Sequence, residues 1–198
     1  FLNKHTGTIG HLGVISFNGN KITTAGNGGV ILTQKLSIYK KCKYIINQSK
    51  DDPIRFIHNS VGYNYSLSNL SASVVVAQIE NLNFFLKKKR EINEYYKKAF
   101  SKIPGLRISE GPSYSKNNYW LNLLIGKKNW KKRLFRNGKI QLRPIWYPNH
   151  LQKPFKRFQK FKVNHAQNVY KKVLCLPSST SLSKKDIKRV VNFINHNQ

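Results

Sequence analysis

The sequence predicts an α/β protein that ends in an α+β module. Near its start, two short apolar runs with strand character flank a polar, glycine-rich loop. Apolar residues then recur at helical spacing, and short strands alternate with short helices later in the chain. This change from long helical spacing to short elements coincides with the turn sequence Ile103-Pro104-Gly105. We therefore place a domain boundary near Ser101, between residues 1–100 and 101–198.

The first domain begins with a pair of predicted strands. Residues 13–17 read GVISF and residues 28–33 read GGVILT, and both runs have the apolar, β-branched character of short strands. Lys21 therefore lies on the loop between two strands. A short helix is predicted over 36–46, followed by the polar break QSKDDP, where Pro53 stops any preceding helix.

A turn-rich stretch and a long helical region complete the first domain. Residues 58–69 read HNSVGYNYSLSN and include Ser68, a favourable N-cap residue. Helical spacing of apolar residues continues to about Phe100, so the sequence predicts one long helix or a pair of helices broken near Asn81. We expect the basic second half of this region to be exposed.

The α+β module contains further short elements. Strands are predicted at 106–109, 119–126 and 140–146, and helices at 129–138 and 165–173. The sequence SKKD at 183–186 is a capping box that introduces a final helix, which carries Ile187, Val190, Val191 and Ile194.

The composition narrows the function classes. The chain has 36 Lys and Arg against 7 Asp and Glu, a net charge of +29, which suggests a polyanionic partner. The basic residues recur along the whole chain, so solvated faces in a lysine-biased proteome explain the charge equally well. Cys42 and Cys175 lie far apart without metal-ligand spacing, which indicates neither a disulfide framework nor a metal site.

The same features indicate a cytoplasmic setting. No apolar run approaches the length of a transmembrane helix, and no signal peptide is visible, so we expect no membrane partner. The chain begins at Phe1 and contains no methionine, from which we expect a missing upstream segment.

Lys21 is the strongest candidate for a chemically reactive residue. No other Lys, Arg, Asp or Glu occurs between Lys4 and Lys35. A neutral, desolvated lysine is a nucleophile that forms an imine with an aldehyde. Ser16 could donate a hydrogen bond to a phosphate, and the glycine-rich run 25–29 lets the backbone approach a ligand. The alternative is an ordinary hairpin whose lysine points into water.

Four stretches resemble one known family in order along the chain. They read GTIGHLGVISFNGNKITTAGNGGVILT, GYNYSLSNLSASVVVAQIENL, LRPIWYPNHLQKPF and LCLPSSTSLSKKDI. They resemble the DegT/DnrJ/EryC1/StrS family of pyridoxal-phosphate-dependent nucleotide-sugar aminotransferases, and the LegC-like branch most. The resemblance implies fold type I, the aspartate aminotransferase-like fold. It also implies that residues 1–100 are the C-terminal part of an incomplete large domain and residues 101–198 a small α+β domain.

The resemblance also implies roles for five residues. Lys21 would be the catalytic Schiff-base lysine, which holds pyridoxal 5'-phosphate and then moves a proton. Ser16 would bind the cofactor phosphate, and Asn64 would reach the cofactor of the neighbouring subunit in a homodimer. Tyr147 and His150 would line the entrance for the nucleotide sugar.

The implied reaction transfers an amino group from glutamate to a keto nucleotide sugar, with a 4-keto-6-deoxyhexose as the expected acceptor, for surface polysaccharide synthesis. Lys21 argues against a related sugar dehydratase, which in this fold would have histidine in its place. Two alternatives stay open. A basic nucleic-acid-binding module would use the dispersed lysines with aromatic rings as stacking platforms. An inactive remnant of an aminotransferase is the second, because Ser66 stands where the family commonly has arginine and the ring-binding residues of the family's first half are not in this sequence.

Overall fold

The computed structural model describes residues 3–127, 130, 134 and 140–197 of the chain. It divides into two compact units, Phe1–Leu82 and Asn83–Gln198. The division therefore falls earlier than the boundary near Ser101, because the long helix that precedes Ser101 supplies core residues to the second unit. The assignment of the two regions to a large and a small domain stays a prediction.

The first unit contains two antiparallel strand pairs and two helices. Its elements are β1 (Gly13–Ser16), β2 (Gly29–Leu32), α1 (Leu36–Ile46), β3 (Lys50–Asp52), β4 (Ile57–His58) and α2 (Asn69–Glu80). β1 pairs with β2, and β3 pairs with β4. The predicted hairpin and the first helix are confirmed. β3 and β4 lie in stretches whose sequence predicts a polar break and a turn-like segment instead of strands.

Helix α2 begins where the sequence predicted. Ser68 is its N-cap, and the Ser68 hydroxyl accepts a hydrogen bond from the amide of Ser71 at 3.2 Å. The helix ends at Glu80 with Asn81 as C-cap, which confirms the prediction of two helices broken near Asn81. Val75 is its one buried residue, although the helix carries apolar side chains of its own on all of its faces.

Over its described residues, the second unit consists of a four-stranded antiparallel sheet and three α-helices. Its elements are α3 (Leu82–Phe100), β5 (Arg107–Ile108), β6 (Asn122–Ile125), β7 (Arg143–Pro144), α4 (Asn164–Lys172), β8 (Val173–Leu176) and α5 (Lys184–Asn197). The strand order is β5-β6-β8-β7. The predicted helix at 129–138 falls mostly outside the described residues.

Apolar residues of the helices and the sheet form one core in the second unit. α3 contributes Ile92, Tyr96 and Phe100, which share one helical face, and the sheet and α5 supply the opposing side chains. The members from the sheet and α5 are Ile108, Leu124, Leu174, Leu176, Ile187, Val190 and Ile194. The capping box starts α5 as predicted, since Asp186 accepts from the amide of Ser183 at 3.0 Å and from its hydroxyl at 2.6 Å.

Lys89 of α3 is buried, so the prediction of an exposed basic half is wrong at this residue. Only 5% of its surface is exposed, and its ammonium donates to the carbonyl of Trp120 at 3.0 Å and to the carbonyl of Ser178. Asn93, one turn further on, donates to the Asn122 side chain at 2.8 Å. Burial lowers the pKa of Lys89 to about 8.

Two negative findings apply to the part of the chain that the structure describes. None of the helices there has both the length and the apolar content that crossing a membrane requires. No group of three or more His, Cys, Asp and Glu side chains is placed there to hold a metal ion. Cys42 and Cys175 are free thiols, and Cys175 is buried in β8.

Candidate active site

The loop between β1 and β2 carries Lys21 in a fixed backbone. The amide of Lys21 donates to the carbonyl of Asn18 at 2.9 Å, which forms a tight turn directly before the lysine. The carbonyl of Phe17 accepts two hydrogen bonds, from the amide of Ala25 and from the hydroxyl of Thr24, both at 3.0 Å. Phe17 is buried and Lys21 is half-buried. The loop therefore returns over Phe17 and keeps the lysine partly out of water.

Ser16 is the last residue of β1 and lies opposite Gly29 of β2. Its hydroxyl oxygen accepts a hydrogen bond from the amide of Asn18 at 3.3 Å. Because a hydroxyl both accepts and donates, the hydrogen of Ser16 can still be given to a ligand oxygen. Ser16 is exposed, so a phosphate could reach it.

Gly28 brings the hairpin close to the segment that carries Asn64. Its φ angle is +91°, a backbone conformation that favours glycine. A Cβ atom at this position would lie 2.7 Å from the Cδ1 atom of Leu67. Glycine at this position therefore suits both the backbone conformation and the close approach of the Leu67 side chain.

Asn64 lies on an extended segment beside the end of α1. It forms an isolated antiparallel bridge with Asn47, and the amide of Tyr65 donates to the carbonyl of Ile46 at 2.9 Å. The neighbouring rings of Tyr63 and Tyr65 stack with centroids 5.0 Å apart. Asn64 is exposed. Its backbone is thus fixed while its side chain can reach a molecule outside the unit.

Tyr147 and His150 belong to the second unit, where helix α4 holds both. The ring of Tyr147 meets the ring of Tyr170 edge to face, with centroids 5.4 Å apart. Nε2 of His150 lies 3.1 Å from the side-chain nitrogen of Gln167. Gln167 and Tyr170 are three residues apart and so share a face of α4.

The five predicted site residues therefore fall into two groups. Ser16, Lys21 and Asn64 are in the first unit, where the contact of Gly28 with Leu67 joins their two segments. Tyr147 and His150 are in the second unit, on the segment facing α4.

A comparison with known protein families covers all five of these residues. A family described as the DegT/DnrJ/EryC1/StrS aminotransferase family matches residues 1–195. The chain belongs to this family. The resemblance predicted from the sequence is thereby confirmed.

Two curated relatives show the extent of the match. EpsN of Bacillus subtilis (strain 168) is 30% identical over 202 residues, which cover 98% of this chain and 52% of the relative. The GDP-perosamine synthase of Escherichia coli O157:H7 is 28% identical over 197 residues, covering 97% of this chain and 53% of the relative. The chain thus spans about half the length of the curated relatives it matches.

The fold agrees with the family. The crystal structure of the aminotransferase TlmJ from Streptoalloteichus hindustanus superposes with a TM-score of 0.85 at 22% identity, over 98% of this chain and 54% of that one. The predicted aminotransferase fold is confirmed by this likeness.

Sequence reasoning missed the residues that hold the site in place. Thr24 fixes the loop through Phe17, and Leu67 contacts Gly28. Gln167 and Tyr170 support His150 and Tyr147, and their spacing of three on a predicted helix was the available signal.

Proposed function

We propose that this chain contributes the lysine-bearing part of a pyridoxal-phosphate-dependent nucleotide-sugar aminotransferase. The observation that carries the proposal is the half-buried Lys21 on the β1–β2 loop of a chain that belongs to the family. A lysine of intermediate burial loses part of its hydration and remains accessible to an aldehyde, as a nucleophilic amine requires.

The residues of the hairpin fit the cofactor. Pyridoxal phosphate, when bound, supplies an aldehyde to the lysine and a ring that withdraws electrons from the substrate carbon. Ser16 presents a hydroxyl five residues before Lys21, and the backbone is open beside Gly26, where a Cβ atom would meet nothing within 4 Å. No acidic side chain occurs from Gly13 to Thr33 that would repel a phosphate.

Each of the first three residues has a defined task in this proposal. Lys21 Nζ would hold the cofactor through its aldehyde and would remove and return the proton at the substrate carbon. Ser16 Oγ donates to the cofactor phosphate. Asn64 extends its amide to the phosphate bound by the neighbouring subunit of a homodimer.

The exposed apolar faces of α2 support the homodimer. Leu70 and Val76 are exposed, although a helix that is apolar on all sides is normally buried in a folded protein. A second subunit would cover such a surface and bring Asn64 of one chain towards the cofactor of the other.

The substrates that we propose are glutamate as amino donor and a keto nucleotide sugar as acceptor. The sugar of this acceptor is a 4-keto-6-deoxyhexose. Tyr147 offers a partly exposed ring and His150 a ring nitrogen, both steadied by α4, for contacts with the sugar nucleotide. The names of two relatives support this class, since the GDP-perosamine synthase of Escherichia coli O157:H7 and the dTDP-4-amino-4,6-dideoxy-D-glucose transaminase of Shigella dysenteriae are named for amino sugars. The product would serve surface polysaccharide synthesis in the cytoplasm.

Covalent labelling tests the assignment of Lys21. The chain is incubated with pyridoxal phosphate, reduced with borohydride and digested, and the labelled peptide is found by mass spectrometry. We expect one dominant label, on Lys21, which appears at cofactor concentrations too low to label other lysines. Lys35→Ala is the matched control, because Lys35 also follows a strand of the same hairpin.

Two results would contradict the proposal. Lys21→Ala should abolish the dominant label while Lys35→Ala retains it, so equal labelling of both variants removes the basis for a cofactor site. Uniform labelling of many lysines in the unaltered chain would have the same meaning.

A further inference from the structure

Residues 153–162 form an unusual surface segment, which we call the basic phenylalanine segment. It reads KPFKRFQKFK and contains five Lys and Arg and three Phe residues, but no acidic residue. The wider sequence gives it no negative neighbour along the chain, because no Asp or Glu occurs between Glu110 and Asp186. None of the roles proposed above uses this segment.

The three phenylalanines of the segment are exposed. Their exposed fractions are 47% for Phe155, 55% for Phe158 and 78% for Phe161. A short 3-10 turn, Lys153–Phe155, begins the segment, and the amide of Phe158 donates to the carbonyl of Phe155 at 3.1 Å. These turns place the rings of Phe155 and Phe158 side by side, with centroids 6.3 Å apart. Apolar rings gathered on a surface in this way indicate an interaction site.

The cations of the segment lie among the rings. The guanidinium of Arg157 lies 5.4 Å from the centroid of the Phe158 ring, and the ammonium of Lys162 lies 5.2 Å from that of Phe161. None of the three ion pairs among the described residues involves this segment. Positive charge and exposed apolar surface therefore occupy the same patch.

Two partners combine negative charge with apolar surface, namely single-stranded nucleic acid and an anionic membrane surface. Stacking of bases needs aromatic ring faces that are free to receive a base. Here cations cover one face of Phe158 and of Phe161, and the rings of Phe155 and Phe158 are inclined by 46°. Insertion between lipid headgroups needs only exposed apolar rings beside cations, without any stacking geometry.

We propose that the basic phenylalanine segment docks the protein reversibly on a membrane surface that carries anionic lipid headgroups. The five cations attract the lipid phosphates, and Phe155, Phe158 and Phe161 enter the region between headgroups and acyl chains. The expectation of no membrane partner rested on the lack of a spanning segment, and a surface contact of this kind needs none.

Vesicle co-sedimentation tests the proposal with the full chain. The vesicles contain either phosphatidylcholine alone or two parts phosphatidylcholine and one part phosphatidylglycerol, at about 0.1 M salt, where surface charges act over roughly 10 Å. We expect binding to the anionic vesicles only. The triple variant Phe155→Ser, Phe158→Ser, Phe161→Ser keeps every charge and should bind at least about tenfold more weakly.

The high net charge of the chain requires a matched control. Lys156→Gln, Arg157→Gln, Lys160→Gln should weaken binding at least about tenfold, whereas Lys40→Gln, Lys41→Gln, Lys43→Gln, which removes the same charge from exposed positions of α1, should weaken it far less. Equal losses would show that net charge alone attracts the chain and would overturn the proposal. So would unchanged binding of the phenylalanine variant, or tighter binding to a single-stranded oligonucleotide that the same phenylalanine variant abolishes.

Discussion

The two compact units of the molecule differ in how they bury apolar side chains. In the second unit, side chains from α3, the four-stranded sheet and α5 form one continuous core. In the first unit, Phe17 and Val75 are the buried apolar side chains among the residues that the structure describes, while Ile54, Val61 and Leu70 are largely exposed. The second unit thus contains the interactions that stabilise a domain by itself, and the first contains the residues with the clearest chemistry.

The difference shows that the apolar core that gives stability and the lysine with the clearest chemistry lie in different units. Lys21 depends on a hairpin that is held mainly by backbone hydrogen bonds and by one close contact at Gly28. Backbone hydrogen bonds add little net stability without burial of apolar surface. We therefore expect substitutions of like chemistry to have larger effects on the stability of the second unit than of the first.

The largest expected contrast is between two leucines. Leu174 is fully buried in β8, and Leu70 of α2 is 79% exposed. Leu174→Ala should lower the free energy of unfolding by about 2–5 kcal/mol, whereas Leu70→Ala should change it by less than about 0.5 kcal/mol. Urea unfolding measured by tryptophan fluorescence reports on the second unit, because Trp120, Trp130 and Trp146 all belong to it. Amide hydrogen exchange of α2 is the measurement for Leu70→Ala, and a loss there as large as that of Leu174→Ala would remove the contrast.

The buried ammonium of Lys89 gives the second unit a pH dependence. Burial lowers the pKa of Lys89 from 10.5 to about 8. Between these two values the unfolded chain binds more protons at this residue than the folded chain, so stability rises with pH across that window. Below pH 8 both states are protonated, and the full cost of burying the charge is present.

Comparison with Lys89→Met isolates this effect. The free energy of unfolding of the unaltered chain minus that of Lys89→Met should increase by up to about 3 kcal/mol between roughly pH 7.5 and 10.5. Urea titrations by tryptophan fluorescence at several pH values measure the difference. A difference that is flat with pH, or that falls, would mean that the Lys89 ammonium is not buried in the folded protein.

Much of the fold could be predicted because its signals are local. The strand pair around Lys21, the bounds of α1, the Ser68 cap and the Ser183 capping box each depend on a few adjacent residues. β8 was not predicted, since its run of four buried residues has no alternation and follows α4 without a break. β3 was missed because polar residues such as Lys50 and Asp52 form it by pairing with the two-residue strand β4, and neither stretch has the apolar, β-branched pattern of a strand.

Local sequence patterns could not predict the burial of Lys89 or the contacts that hold the site residues in place. Lys89 stands in a run of four basic residues, and only the positions of the Trp120 and Ser178 carbonyls make it a buried residue. Ser16 and Lys21 could be linked from the sequence because five residues separate them on one hairpin. The contact of Leu67 with Gly28 joins residues about forty positions apart, and no pattern in a single sequence encodes it.

A pair of glycines sharpens the comparison inside the first unit. Gly28 and Gly26 both have positive φ angles, of +91° and +83°, but a Cβ atom would meet Leu67 at Gly28 and nothing within 4 Å at Gly26. Gly26→Ala should destabilise the hairpin by about 1 kcal/mol through its backbone alone. Gly28→Ala should cost about 1–2 kcal/mol, because the same backbone cost applies and the tip of the partly buried Leu67 side chain has to move aside. Amide exchange of β1 and β2 measures both, and a smaller loss for Gly28→Ala than for Gly26→Ala would contradict the contact with Leu67.

The smallest expected effects come from replacing the N-cap serine of one helix in each unit. Ser68 accepts from the amide of Ser71 at the start of α2, and Ser183 accepts from the amide of Asp186 at the start of α5, each at 3.2 Å. Alanine at either position should remove about 1 kcal/mol of helix stability. For Ser183→Ala the loss should appear in the urea midpoint of tryptophan fluorescence, because α5 packs into the core that unfolds as one unit. For Ser68→Ala it should appear only as faster amide exchange in the first turn of α2, since one buried residue couples that helix to its surroundings. If Ser68→Ala shifted the tryptophan midpoint as much as Ser183→Ala, the two units would unfold together and their separation in stability would be wrong.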